Sequence, residues 1–286
     1  METHIVAVVG ATSDVGSVVV SELEAKGVEV RRISRTDGVD IHDAPALVKA
    51  LTGADSAYVM LPFDMAAPDL HAREAELAAI IADALKQTGV KRVVSLSTAS
   101  AHLKNNTGSG RAGGILEEHL DAIGIPELTH LRAAFFMENF AKGMNFAAQA
   151  GTGVYSSAFN GGRPIAMVAA QDIGVVAAEI LSATTFHEPH VRELLGPRDY
   201  TLHEATAILA AAYGNPAVKY KQGTYEETRV AMLSLGVSES FADAVVETAK
   251  SFNRGDTWWQ EARSPQNTTP TTLEAFAKEL YRKGLV

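Results

Sequence analysis

Short apolar runs alternate along this chain with longer stretches in which apolar residues recur every three or four positions. His4-Ile5-Val6-Ala7-Val8-Val9 opens the series as a buried, β-branched strand. Val15, Val18, Val19 and Leu23 follow at helical spacing, and Gly27 stands where that helix stops. Residues 28–33 read as a second strand, Val39-Asp40 as a short third, and 45–51 as a helix. A fourth strand at 57–61 is closed by Pro62, and a long helix over 69–88 ends at Gly89. Residues 92–97 form the fifth strand, 116–123 a helix before Gly124, and 128–132 the sixth strand. This rhythm predicts an α/β fold, doubly wound around a parallel sheet, because parallel neighbours need crossover connections whose helices cover both faces. After about residue 151 the rhythm loosens. Strands at 166–168 and 191–195, with helices near 201–213, 225–235 and 240–251, predict a smaller α/β lobe.

The turn between the first strand and its helix, Gly10-Ala11-Thr12-Ser13-Asp14-Val15-Gly16, carries the strongest chemical signal. The first N–H groups of a helix lack internal partners, so a helix start is a seat for phosphate. Gly10 permits the sharp turn, Gly16 lets the helix pack close to the sheet, and Thr12 and Ser13 add hydroxyls toward an anion. The spacing is nearer Gly-x-x-Gly-x-x-Gly, with Ser13 in the middle place, than Gly-x-Gly-x-x-Gly. Gly10, Thr12, Ser13, Asp14, Val15 and Gly16 are therefore expected to hold a dinucleotide pyrophosphate. Ligands of doubly wound sheets lie beyond the carboxyl ends of the strands, which adds Ser34, Arg35, Leu61, Pro62, Ser97 and Thr98. The second strand ends Ile33-Ser34-Arg35-Thr36, without the acidic residue that grips the ribose in NAD sites. A guanidinium and two hydroxyls suit the 2′-phosphate of NADP. Asp37 stands close enough for a bend to return a carboxylate, which keeps NAD open. Asp40 and Ile41 are placed to meet an adenine edge.

Composition changes the picture mainly by exclusion. The 286 residues suffice for one large domain with an appendage, and 47 % apolar residues exclude disorder. The chain has no cysteine, which removes disulfides, thiolate metal sites and cysteine nucleophiles. Its nine histidines are dispersed, without a His-x-x-x-His spacing and nearby carboxylate, so no metal site is expected. A formal charge of −9 and the lack of a basic patch argue against nucleic acid as a partner. Met1-Glu2-Thr3-His4 is no basic leader and no apolar run reaches membrane length. No membrane association and a cytoplasmic location are the resulting expectations.

In these features the chain resembles the NmrA-like members of the atypical short-chain dehydrogenase/reductases. Gly10 to Gly16, Ile33-Ser34-Arg35 and Gly89-Val90-Lys91-Arg92-Val93-Val94-Ser95-Leu96-Ser97 carry the resemblance. Leu116-Glu117-Glu118-His119-Leu120 with Gly124-Ile125-Pro126, Leu131-Arg132 and Phe135-Phe136-Met137-Glu138-Asn139-Phe140 extend it. Ala170-Gln171-Asp172-Ile173-Gly174 and Thr269-Pro270-Thr271-Thr272-Leu273-Glu274 complete it, in order, over nearly the whole length. The resemblance implies an NAD(P)-binding Rossmann domain, over 1–150; the loosened rhythm after 151, with no long Pro/Ser-rich linker, makes 151–286 a substrate-side lobe interleaved with it and sharing its cleft. The resemblance implies one of two activities: NADPH-dependent reduction of a small molecule, as in quinone and isoflavone-type reductases, or cofactor-dependent regulation without turnover. Phe135, Phe136, Phe140 and Met144 read mostly as core, yet the resemblance places their segment beside the substrate, with Phe135, Phe136 and the polar Asn139 as the candidates there. The later motifs have structural readings. Asp172 suits the positive end of a helix, and Thr271 with Glu274 the capping box of a final helix with Leu273, Phe276, Ala277 and Leu280 on its apolar face. Trp258-Trp259 either caps an apolar pocket or seals a subunit contact.

One departure bears on the chemistry. Short-chain dehydrogenases use a Tyr and a Lys four residues apart on one helix face, the Lys lowering the phenol's pKa. None of the seven tyrosines here has a Lys four positions on. Counting back from Leu116-Glu117, the Lys place falls on Gly113 and the Tyr place on Ser109, inside a glycine-rich stretch, 105–114, that reads as a mobile loop. His102, Lys104 and Arg111 are the nearby substitute proton donors, though each also fits a surface loop, and His119 reads as an exposed helix residue. Two functions follow: an NADPH-dependent reductase of a small conjugated carbonyl of quinone type, or a non-catalytic dinucleotide sensor with a regulatory protein partner. The missing pair favours the sensor and the aromatic segment favours the enzyme, toward which the reading leans. A homo-oligomer stays open.

Overall fold

The computed structural model describes residues 4–104, 108–142 and 145–282, so Met144 and the 105–107 part of the expected loop lie outside it. The alternating pattern produces β1 (Ile5–Val9), α1 (Asp14–Ala25), β2 (Glu29–Ile33), α2 (Ala44–Leu51) and β3 (Ser56–Val59). Next come α3 (Leu70–Thr88), β4 (Arg92–Thr98), α4 (Arg111–Asp121), β5 (Glu127–Ala133), β6 (Phe135–Phe136) and α5 (Phe146–Ala150). The chain continues through β7 (Val154–Ser157), β8 (Ile165–Val168), α6 (Ala170–Ser182), β9 (Val191–Leu194) and β10 (Asp199–Tyr200). It closes with α7 (Leu202–Tyr213), β11 (Lys219–Gln222), α8 (Tyr225–Ser234), α9 (Glu239–Arg254) and α10 (Leu273–Arg282).

Six strands form a parallel sheet in the order β2-β1-β3-β4-β5-β9. The chain winds outward from β1 to β2 and then returns to the other side of β1, so the order reverses between β1 and β3. Crossover connections at such a reversal diverge and leave a crevice at the carboxyl ends of the strands. One face is covered by α1 and α6, with Val15, Val19, Leu23, Ile173 and Ala177 buried between helices and sheet. Gly174 makes that contact close, since a Cβ there would meet the Val18 Cβ at 2.5 Å. The other face packs on α2, α3 and α4 through Leu47, Leu51, Leu77, Ile81 and Leu116. Among the described residues no helix is long and apolar enough to cross a membrane.

Four expectations are corrected. Val39-Asp40 is not a strand: the segment has one apolar residue, and a single turn of 3-10 helix (Arg35–Asp37), closed by the Val39 N–H on the Ser34 carbonyl (2.9 Å), bends it from the sheet edge. Residues 108–114 are not a loop. Gly108–Gly110 make a 3-10 turn and α4 starts at Arg111, its glycines packed against β4 and α9. The strand expected in the lobe at 191–195 is instead β9, the sixth strand of the main sheet. The cap of α10 is Thr272, whose hydroxyl accepts from the Ala275 N–H (3.2 Å), because Thr271 is taken by Asp172.

The lobe has its own core of Phe140, Phe146, Tyr155, Tyr200, Leu209 and Phe252 beneath two small sheets, β10-β8-β6 and β11-β7. Trp258 belongs to this core, edge-on to Phe159 and with its indole N–H on the Ser251 hydroxyl (3.2 Å). Trp259 touches both this core and the sheet core.

Candidate functional site

Gly10 follows β1 with φ +78, a left-handed conformation that costs a side chain dearly. Its N–H bonds the Ile33 carbonyl (2.9 Å), and its own carbonyl takes the Ser13 N–H (2.9 Å), which folds the turn back over the strand end. Ser13 then caps α1, its hydroxyl accepting from the Gly16 N–H (3.0 Å). The N–H groups of Asp14 and Val15 come before the first bond within the helix and stay open for an anion. A Cβ at Gly16 would lie 2.1 Å from the Gly10 carbonyl oxygen, so only hydrogen fits where the helix crosses the turn.

The turn opens on a cleft of about 390 Å³ at the sheet's point of reversal. Gly10, Thr12, Ser13, Ser34, Arg35, Asp40, Ile41 and Pro62 line it, together with Val39, His42, Met60, Phe63, Asp64 and Leu77, which the sequence did not single out. The remaining expected residues lie elsewhere. Leu61, Val15 and Gly16 are buried behind the lining, and the Asp14 carboxylate is held by the Lys142 ammonium (2.6 Å). Ser97 and Thr98 sit at the end of β4 but outside the cleft lining: Ser97 donates to Glu117 (2.6 Å) and Thr98 to the Gly110 carbonyl (2.7 Å).

At the end of β2, the Ser34 hydroxyl donates to the Asp37 carboxylate, which also pairs with Arg32 (3.4 Å). The bend does return Asp37, but both its partners come from this chain. Arg35 is exposed, and its guanidinium has no hydrogen bond or ion pair among the described residues. The Asp40 carboxylate accepts the His42 N–H (3.0 Å), which shapes the loop under the far end of the cleft. The lobe reaches this region directly, with the Ser238 N–H on the Met65 carbonyl (2.8 Å) and the Leu70 N–H on the Ser240 hydroxyl (2.9 Å).

The place of the Tyr/Lys pair is closed as well as chemically empty. A Cβ at Gly113 would meet the Thr98 nitrogen at 2.6 Å and the Ser97 hydroxyl at 2.8 Å, so the end of β4 lies where a lysine stem would start. Ser109 is tied to Thr248 by its N–H (3.0 Å) and hydroxyl (2.9 Å). Of the substitutes, Arg111 forks onto Glu118 (3.0 Å) and holds that carboxyl below its usual range; Lys104 is exposed; His102 has a buried Nδ1 without a partner among the described residues. His119 is half-buried rather than exposed and donates through Nδ1 to the Ile115 carbonyl (2.9 Å). Its neighbour Glu117 is buried, gripped by Arg132 (2.6 Å) as well as Ser97.

Phe135 and Phe136 are half-buried; Phe135 packs edge-on against Phe159 in the lobe core, and Phe136 against the sheet core. Asn139 is half-buried beside them. Glu138, not singled out as a site residue by the sequence, bridges to the start of α6, one carboxylate oxygen accepting from the Ala170 N–H (3.0 Å) and the other buried without a partner among the described residues. Burial pushes its pKa up to about 7, and the nearby Asp14 carboxylate adds to the rise. A carboxyl that titrates near neutrality therefore stands beside the cofactor-type turn.

Known proteins of this shape are reductases in several instances. The NAD(P)H azoreductase of Xenophilus azovorans is 30 % identical over 226 residues, covering 79 % of this chain and 72 % of that one. An NADPH-dependent quinone oxidoreductase from Escherichia coli, solved with NADPH, superposes with a TM-score of 0.74 at 23 % identity, covering 96 % of this chain and 99 % of that one. The triphenylmethane reductase of a Citrobacter species, solved with NADP(H), gives a TM-score of 0.75 at 21 % identity over 96 % and 99 % of the two chains. A model of the NmrA-like family matches residues 2–277, and the chain belongs to that family.

Proposed function

We propose that this protein is an NAD(P)H-dependent oxidoreductase that binds NADPH over the Gly10–Gly16 turn and reduces a small conjugated acceptor of quinone type. The observation that carries the reading is the turn itself: a cradle that a Cβ at Gly16 would fill, at a helix start, opening on the cleft at the sheet's reversal. The azoreductase relative and the quinone and dye reductases of the same fold support a reductase of conjugated acceptors. The N–H groups of Asp14 and Val15 with Thr12 and Ser13 hold the pyrophosphate, and Gly10 and Gly16 keep the approach clear. Arg35, without a partner among the described residues, meets the 2′-phosphate beside Ser34, while Asp40 and Ile41 face the adenine and Pro62 lines the floor. Leu61, Ser97 and Thr98 act from behind, setting the positions of the strand ends. Phe135, Phe136 and Asn139 border the acceptor, on the seam where the lobe shares the cleft.

When bound, the nicotinamide supplies the hydride, and the protein's task is to orient it and exclude competing chemistry. With Ser109 and Gly113 in the Tyr and Lys places, no phenol is available as an acid. The acceptor is therefore one whose reduced anion is delocalised and takes its proton from water. The test is NADPH oxidation against quinones, azo dyes, enones and simple ketones, with calorimetry of NADPH binding in parallel. Quinones turned over well and simple ketones poorly is the expected result. Tight binding with no turnover of any acceptor would replace this reading with that of a dinucleotide sensor; efficient ketone reduction would overturn the account of the missing acid.

A further inference from the structure

Toward the other end of the sheet from the cleft, three side chains far apart in sequence converge. Asp121 is the last residue of α4, His130 lies in the middle of β5, and His190 precedes β9. The register of helix on strand brings the first two together. Glu117 grips Arg132 and Asp121 meets His130, so four residues of α4 run against two of β5. Four helical residues advance about 6 Å and two strand residues about 6.6 Å, in opposite chain directions, which keeps both pairs in step. The third residue is placed by the edge strand: the His130 N–H bonds the His190 carbonyl (2.8 Å), and the Thr129 hydroxyl bonds the Pro189 carbonyl (3.0 Å).

The result is a cluster in which Asp121 Oδ1 lies 3.1 Å from His130 Nε2 and 2.9 Å from His190 Nε2. All three ligand atoms are within 4.8 Å of one another. Two atoms each about 2.1 Å from a tetrahedral ion are about 3.4 Å apart, so both contacts need widen by only about 0.3–0.5 Å to admit one. His130 is 1 % exposed, and its Nδ1 is held by the buried Ser95 hydroxyl (2.6 Å) from the facing position of β4. A metal-bound histidine is oriented in this way, through a hydrogen bond on its second nitrogen. His190 stands at a right angle to it, with rings 4.9 Å apart and an interplanar angle of 81°. Asp121 and His190 are exposed, which leaves the remaining coordination positions to water. The carboxylate also sits at the negative end of α4, where its charge is unfavourable unless a cation lies beside it.

We infer that Asp121, His130 and His190 form a binding site for a divalent transition-metal ion of the zinc type, with Ser95 as the residue that orients His130. Two imidazoles and one carboxylate suit zinc or nickel and not the hard, oxygen-seeking calcium and magnesium. The ion would tie the end of α4 to β5 and the sheet edge. It lies away from the cleft, so the inference stands independently of the reductase reading. Local spacing could not reveal the site, because its ligands meet only after α4 and β9 have docked.

The experiment is calorimetric titration of the tag-free chain with zinc chloride at pH 7.5, with NADPH binding and thermal unfolding as controls. One ion per chain is expected to bind. His190→Ala and Asp121→Asn, both at exposed positions, should abolish that step while NADPH affinity stays unchanged; His203→Ala, in the lobe, should leave zinc binding intact. Ser95→Ala should weaken binding about 10- to 100-fold with all three ligands still in place. Absence of zinc binding by the unaltered chain, or binding that survives His190→Ala undiminished, would overturn the inference.

Discussion

Replacing Gly16 by alanine tests the turn where its geometry is least tolerant. The added carbon would stand 2.1 Å from the Gly10 carbonyl oxygen and 2.9 Å from both the Gly10 carbonyl carbon and the Ser13 hydroxyl. Ordinary contact begins near 3.4 Å, so the start of α1 must recede from the turn by about 1.3 Å. Overpacking of this kind typically costs about 1–3 kcal/mol, which for a chain of this size lowers the unfolding midpoint by about 2–10 °C. A shift above 1 Å also breaks the alignment of the Asp14 and Val15 N–H groups on a bound phosphate. Hydrogen bonds to a charged group are worth about 1.5–3 kcal/mol each, so NADPH affinity should fall by at least about tenfold. Gly27→Ala is the control. Gly27 has φ +72 and no atom within 4 Å of an added Cβ, so alanine there costs about 1–2 kcal/mol of backbone strain without touching the cleft. Thermal melts and fluorescence titration of NADPH compare the two. Both variants should be destabilised, and only Gly16→Ala should bind weakly. If Gly16→Ala binds NADPH as well as Gly27→Ala does, the pyrophosphate does not lie over this turn.

Arg35→Ala should weaken NADPH about ten- to a hundredfold and leave NADH nearly unchanged; equal losses on both would mean the guanidinium does not meet a 2′-phosphate. Glu138→Gln should change the pH dependence of stability. The folded carboxyl titrates near 7 against an ordinary 4.5, so the unaltered protein loses stability as pH rises from about 4.5 through 7. Denaturant melts at pH 5 and pH 8 should show the variant gaining on the parent by roughly 2–3 kcal/mol at the higher pH, and parallel curves would contradict the burial argument. Single alanine changes at His102, Lys104 and Arg111 should each retain most quinone turnover. Loss of about 10²–10⁴-fold in one of them, with NADPH affinity intact, would identify that residue as the acid.

The parts of this molecule that were legible in its sequence are those fixed by near neighbours. The strand, turn and helix from Ile5 to Ala25 follow from one apolar run, two glycines and one helical stripe. The long helix α3 begins at the Asp69 cap and ends at Gly89, in the left-handed conformation, where both residues indicated. Misreadings cluster where distant contacts decide. Four glycines between 108 and 114 read as a loop because glycine disfavours helix, yet Gly108 lets the turn before α4 pack on α9 and Gly113 lets α4 approach β4 where a larger residue would block it. Ser97 and Thr98 were placed correctly at a strand end, but what their hydroxyls face is set by Glu117 and Gly110, in a later element. Glu138 is half-buried with its carboxylate bonded to Ala170, 32 residues on, and nothing near it in the chain signals a raised pKa.

The return of the chain to its first sheet has a consequence for how the molecule must be made and lost. Helix α6 and strand β9 come after β6, α5, β7 and β8 in sequence, yet α6 covers α1 and β9 seals the edge of β5. A fragment stopped at residue 150 would bare Val15, Val19 and Leu23 to water and leave the ladder of β5 unpaired, a template for association with other chains. During synthesis the first half therefore cannot finish its own hydrophobic interior until the ribosome has delivered residue 194 and beyond. A cut between sheet and lobe is accordingly expected to yield an aggregating piece, where a linker-joined pair of domains would yield two soluble ones.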